Sequence, residues 1–158
     1  MDRTVLAQIT ESYRPHPTAS DGEEDESVWR EFLPVIFVGV GEEPTNMTNT
    51  KTPLAMLPIC DTPILYYNLR YLKLSGFTEC VLMFPERYGK VIEEFLKEKG
   101  EATGLTIVCE SLPDDMTEVQ ALYSIKDKVR TTNYLLLKGN QIFVFPYYLI
   151  SDMHRKYR

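Results

Sequence analysis

The sequence predicts an α/β domain built on a mostly parallel sheet with helices on both faces. Two observations carry that expectation. Four apolar runs, Val35-Ile36-Phe37-Val38, Cys80-Val81-Leu82-Met83-Phe84, Leu105 to Cys109 and Tyr134-Leu135-Leu136-Leu137, are near-continuous rather than alternating, as strands buried on both faces are. Stretches with helical spacing separate them, and a β-α-β-α-β-α-β order with short connections favours right-handed crossovers and parallel pairing. Ligands of such sheets bind beyond the carboxyl ends of the strands, so the loops after Val38 and Leu137 form the candidate site.

Residues 1–30 are polar, hold Pro15 and Pro17, and pass through Asp21-Gly22-Glu23-Glu24-Asp25-Glu26. Such a block repels itself and buries nothing, which predicts a disordered acidic arm. Packing starts near Trp29 and Phe32, and residues 31–158 form the folded part. The first strand, Val35 to Val38, lies between Pro34 and Gly39. Asp61 is expected to cap a helix with Pro63 at its first position, and Ile64, Leu65, Leu69, Leu72 and Leu74 then recur until Gly76. Pro85 stops the second strand. From Glu86 to Lys99, Tyr88, Val91, Ile92, Phe95 and Leu96 make an apolar face, with Lys90-Glu94 and Glu93-Lys97 as i,i+4 pairs and Gly100 as terminator. After the third strand, Asp114-Asp115 reads as the cap of a helix from Thr117 to about Val129 rather than as a metal pair, since no His or Glu partner stands at ligand spacing.

A net charge of −6 and a pI near 5.0 disfavour direct nucleic-acid binding, which needs clustered Lys and Arg. The basic end His154-Arg155-Lys156-Tyr157-Arg158 is too short to reverse that. Cys60, Cys80 and Cys109 lack any Cys-x-x-Cys pair and read as reduced, buried thiols. No signal h-region and no apolar stretch of membrane-spanning length occurs, which predicts a cytoplasmic protein without membrane contact. His16 and His154 are isolated and have no Ser or Cys nucleophile at recognisable spacing. Tyr66, Tyr67, Tyr71, Tyr147 and Tyr148 suit either an interface or the core, and Lys126, Lys128 and Arg130 suit the negative end of a helix.

Several stretches resemble the sugar-phosphate nucleotidyltransferases. They are Val35 to Gly41, Pro53-Leu54-Ala55-Met56-Leu57-Pro58, Ile59-Cys60-Asp61-Thr62-Pro63-Ile64 and Leu74-Ser75-Gly76-Phe77-Thr78-Glu79. The second and third stand where the family has Pro-Lys-Pro-Leu-Leu-Pro and an apolar-Gly-Asn/Asp-Lys-Pro run. The resemblance implies a Rossmann-like nucleotidyltransferase fold, of which residues 31–158 would be the N-terminal part. Within it, Ile107-Val108-Cys109, Pro113-Asp114-Asp115-Met116 and the helix that follows are most similar to the gamma subunits of eukaryotic translation initiation factor 2B, with the epsilon subunits next.

The differences from the family pattern share one direction. Nucleotidyl transfer needs backbone amides, cations and a metal around a triphosphate. Here Val40 separates Gly39 from Gly41, and the position of the family's loop arginine falls at Glu43 or Pro44. Leu54 and Thr62 replace the two lysines, and Asn140 replaces the metal-binding aspartate. A carboxylate near a bound triphosphate opposes binding by about 1 kcal/mol at exposed separations. Gly39, Gly41, Leu54 and Asn140 are thus expected to be vestigial nucleotide-site positions, with no catalytic residue, cofactor or metal. The resemblance implies a non-catalytic subunit of the guanine-nucleotide exchange factor for translation initiation factor 2, partnered by an epsilon-like subunit and by factor 2. The alternative is a divergent working sugar-1-phosphate nucleotidyltransferase, such as a mannose-1-phosphate guanylyltransferase.

Overall fold

The apolar runs pair into one sheet. The computed structural model describes residues 32–41, 51–126, 133–143 and 147–157. The acidic arm, Glu42 to Pro44, Lys128, Arg130 and the Tyr148 side chain lie outside the described residues. The strands are β1 (Phe32–Phe37), a short β2 (Pro58–Ile59) and β3 (Thr62–Pro63), β4 (Glu79–Pro85), β5 (Thr106–Leu112) and β6 (Asn133–Lys138). Helices are α1 (Ile64–Leu74), α2 (Gly89–Phe95), α3 (Glu101–Thr103), α4 (Glu118–Ile125) and α5 (Tyr147–Tyr157). The main sheet is ordered β5-β4-β1-β6 and every pair in it is parallel. Its register sets Val35 against Val81 and Leu136, and Val81 against Val108.

Successive residues of each strand point to opposite faces, so a continuous apolar run feeds two cores. On one face Ile36, Val38, Leu82, Phe84 and Leu137 pack with Leu65, Leu69 and Leu72 of α1, Ile92 and Phe95 of α2, and Tyr147 of α5. On the other, Val35, Phe37, Val81 and Met83 pack with Ala121 and Ile125 of α4. Each fully buried leucine contributes roughly 1.5–3 kcal/mol. Tyr66 and Tyr71 pack on the first core, and the Tyr67 hydroxyl donates to Ile59 O at 3.0 Å. Tyr147 is fully buried, and burial pushes its hydroxyl up to about 12, with Tyr71 adding to the shift. These tyrosines serve packing.

Helix α1 stops as expected. Gly76 takes φ 91°, its N–H donates to Lys73 O, and Phe77 N–H reaches Leu72 O at 3.1 Å, the paired bonds of a Schellman cap. Its start differs from expectation. Pro63 stands just outside the helix, and Asp61 does not cap it, because Cys60 and Asp61 form the two-residue turn of the β2–β3 ribbon at φ 49° and 63°. Both positive angles suit a type I′ hairpin. Leu57 O accepts from Ile64 N instead, at 3.1 Å.

Gly100 does not end the second helix either. The chain continues helically through a π-helical turn at Leu96–Gly100 into α3, and Gly104 at φ 69° ends it. Gly100 is helical at φ −58°, and Thr103 Oγ1 donates to its carbonyl at 2.6 Å. A π turn shifts side-chain spacing by one residue, and Glu93-Lys97 and Lys90-Glu94 are not among the ion pairs of the described residues, where Lys99 meets Glu98 instead.

Asp114-Asp115 is not the cap of α4. Thr117 is adjacent to the first helical residue and forms a capping box with Gln120. Asp114 Oδ1 accepts from Arg87 N at 3.2 Å, tying the β5–α4 connection to the segment after β4. All three cysteines are free, but only Cys80 is buried. Cys60 is exposed in the ribbon turn and Cys109 on edge strand β5.

Candidate functional site

The chain order explains where a site can form. From β1 it winds outward through β4 to β5, then crosses to β6 on the other side of β1. The strand order reverses between β1 and β6, and in sheets of this kind a crevice is expected beyond the carboxyl ends at such a point. The loops after Val38 and Leu137 therefore adjoin, as expected. Gly139 N donates to Phe37 O at 2.8 Å, and Asn68 Nδ2 of α1 donates to Gly139 O at 3.0 Å. A Cβ on Gly139 would lie 3.0 Å from Phe37 O and 3.1 Å from Ala55 Cβ. Only glycine admits that approach without displacing its neighbours.

The Pro53-Leu54-Ala55 segment closes the crevice. A Cβ on Gly39 would lie 3.2 Å from Pro53 Cβ, while Ala55 abuts Gly139. Leu54 opens a 3-10 turn over Leu54–Met56 and is half-buried. Gly39, Leu54 and Asn140 are thus carried by neighbouring segments. Gly41 stands apart: it is exposed at φ 68°, with open space where a Cβ would go. Thr62 lies half-buried in the ribbon that leads into α1.

Tyr88, read from sequence as one of several apolar helix positions, is a site residue. It follows β4 in a 3-10 turn over Glu86–Tyr88 and is buried. Its ring covers Gly39 so closely that a Cβ there would lie 2.5 Å from Tyr88 Cε2. The Arg87 guanidinium sits 4.9 Å from the ring centroid. The signal that could have found it is position, since Tyr88 closely follows the carboxyl end of a central strand.

Two polar side chains at the crevice, Asn68 and Asn140, are neutral amides. Asn140 Oδ1 and Asn68 Oδ1 are buried without a hydrogen-bond partner. A carboxylate in the same place would need a cation or several donors, whereas an amide costs less to leave unpaired. Among the described residues no group of three or more His, Cys, Asp or Glu could hold a metal ion. No described helix is long and apolar enough to cross a membrane.

No family model matches the chain. In sequence it is similar to the translation initiation factor eIF2B subunit gamma of Dictyostelium discoideum, 27% identical over 111 residues that cover 66% of this chain and 24% of that one. The same subunit of Schizosaccharomyces pombe is 28% identical over 125 residues, 77% of this chain and 27% of that one. The chain therefore spans about a quarter of the length of these relatives. In structure it is similar to a Bacillus anthracis protein assigned as a glucose-1-phosphate thymidylyltransferase, with TM-score 0.67 and 18% identity over 79% of this chain and 50% of the other. HddC of Yersinia pseudotuberculosis gives TM-score 0.62 at 15% identity over 77% and 53%, and a UDP-glucose pyrophosphorylase gives 0.63 at 12% over 80% and 54%. The fold is that of the nucleotidyltransferases, and in sequence the chain is similar to the gamma subunits of translation initiation factor 2B.

Proposed function

We propose that the chain is the nucleotidyltransferase-like part of a gamma-type subunit of translation initiation factor 2B and acts there without catalysis, as a scaffold or regulatory partner in cytoplasmic translation initiation. Residues 31–158 form this unit, preceded by the acidic arm. Its partners are an epsilon-like subunit and translation initiation factor 2, and the exchange chemistry belongs to another subunit. The similarity to gamma subunits carries this reading.

The crevice supports the absence of transfer chemistry. The nucleotidyltransferase fold implies a magnesium ion and a nucleoside triphosphate, and the residues present do not fit them. Leu54 and Thr62 offer no positive charge, Asn140 offers a neutral oxygen, and Tyr88 occupies the space over Gly39. The vestigial positions Gly39, Leu54 and Asn140 then serve chain packing, and Gly41 serves an exposed turn at φ 68°.

Thermal melting with GTP, ATP or a nucleotide sugar and magnesium tests the site. A binder is stabilised by about 2.7 kcal/mol at a ligand concentration of one hundred times Kd. We expect no shift that grows with concentration and no pyrophosphate release with any sugar phosphate. Turnover would instead support the divergent transferase, the reading favoured by the enzymes among the structural neighbours. Affinity capture with mass identification of bound chains tests the assembly, and the other initiation factor 2B subunits are the expected partners.

A further inference from the structure

Asn68 is an amide where α1 otherwise turns leucines inward: Leu65, Leu69 and Leu72 are the other buried residues of the helix, and Asn68 is 1% exposed. Its Nδ2 donates to Gly139 O at 3.0 Å, which fixes the amide's orientation and keeps Oδ1 beside the same loop. Asn140 follows Gly139 directly, and its Oδ1 is also buried. Among the described residues neither oxygen accepts a hydrogen bond. The two polar atoms of one amide lie about 2.2 Å apart, so the Asn68 oxygen is within about 5 Å of Gly139 O. Both oxygens therefore flank one peptide unit, that of Gly139 and Asn140.

Two acceptors cannot satisfy each other. Burying such an oxygen without a donor costs its full desolvation, and buried polar groups of folded proteins are met by protein or by ordered water. The loop is not free to turn its oxygen outward, because Gly139 N donates to Phe37 O at 2.8 Å and the glycine is wedged between Phe37 O, Ala55 and Val38. The donor that both oxygens call for must offer two hydrogens and fit an enclosed place. A divalent cation takes about six oxygens or more, usually with carboxylates among them, and two neutral amides do not supply that shell. Water fits, since a buried molecule of it makes about three hydrogen bonds and can donate two.

We infer that Asn68 and Asn140 hold one internal water molecule at the carboxyl rim between β1 and β6, which donates one hydrogen to each side-chain oxygen. The direct bond from Asn68 already joins segments 71 residues apart in sequence. The water is the second tie between the same helix and loop, made by uncharged groups throughout. The inference stands apart from the proposed function and needs only buried groups of this chain.

Two measurements read an internal water directly. Oxygen-17 relaxation dispersion counts the long-lived waters of a protein, and water-to-protein NOE and ROE cross-peaks place them. In the wild-type chain we expect cross-peaks of opposite NOE and ROE sign, the signature of long residence, at the side-chain amide protons of Asn68. Asn140→Leu, close to asparagine in shape but without its oxygen, should lose those cross-peaks and one long-lived water while keeping a cooperative melt. Should that variant fail to fold, a high-resolution crystal structure of the wild-type chain carries the test, with one water within hydrogen-bond distance of both oxygens as the expected result. Four results overturn the proposal: no long-resident water at Asn68, a count unchanged in a folded Asn140→Leu, a separate water on each oxygen, or an Asn140 amide turned so that its Nδ2 donates directly to Asn68 Oδ1.

Discussion

The middle of the sheet and its carboxyl rim follow different rules. In the middle, position along the strand decides everything: Val35 and Phe37 face α4, Ile36 and Val38 face α1, and any apolar side chain of the right volume satisfies either side. At the rim, each residue answers to one distant partner. Gly39 is shaped by Tyr88, Gly139 by Phe37 and Ala55, and Asn68 by Gly139. Stability spread over many weak contacts tolerates exchange of any one of them. Stability held in single close approaches does not.

Removing a fully buried side chain from the middle tests the first rule most strongly. Leu82→Ala or Leu69→Ala should cost about 2–5 kcal/mol in urea unfolding. Alkali should attack the same core. Burial pushes the Cys80 thiol from 9.0 up to about 12 and the Tyr147 hydroxyl from 10.0 to about 12. Both folded-state values are raised, so the native state favours the protonated, neutral form. That contribution is intact below pH 9 and lost as pH climbs toward 12, because only the unfolded chain ionises freely there. Urea midpoints should fall steadily over that range, and Cys80→Ala should flatten the part of the fall that begins near pH 9.

The rim predicts smaller but more particular effects. Gly39→Ala combines a positive φ with a clash against the Tyr88 ring and should cost about 2–3 kcal/mol. Tyr88→Leu should relieve part of it, so a double-mutant cycle would show coupling; additive effects would remove Tyr88 from its assigned place over the loop. Asn140→Asp should lower stability by about 1–3 kcal/mol at neutral pH. If magnesium restored that loss in proportion to its concentration, the crevice would still be a metal site lacking only its carboxylate. Cys60→Gly should stabilise by about 0.5–1 kcal/mol, because the residue sits at φ 49° without strand pairing to compensate it. A falling melting temperature for that variant would show that the thiol makes a contact worth more than the strain.

The parallel sheet, the two cores, the Gly76 cap of α1 and the closeness of the loops after β1 and β6 were legible in the sequence. Each follows from local periodicity or from a topological rule that alternation alone invokes. The same reading fixed the helix ends less well. A glycine at Gly100 and an aspartate at Asp61 carry strong local signals, yet the first lies in a π turn and the second in a hairpin.

By itself, then, the chain determined its fold and the neutral chemistry of Leu54, Thr62 and Asn140 at the crevice, because residue type and spacing fix burial pattern and charge. Only the tertiary structure decided that Tyr88 fills the space over Gly39, that Asn68 pins the loop of Gly139, and that Cys60 and Cys109 face solvent. Those are contacts between segments tens of residues apart. Their existence depends on ångström-scale approaches that no periodicity in a sequence encodes.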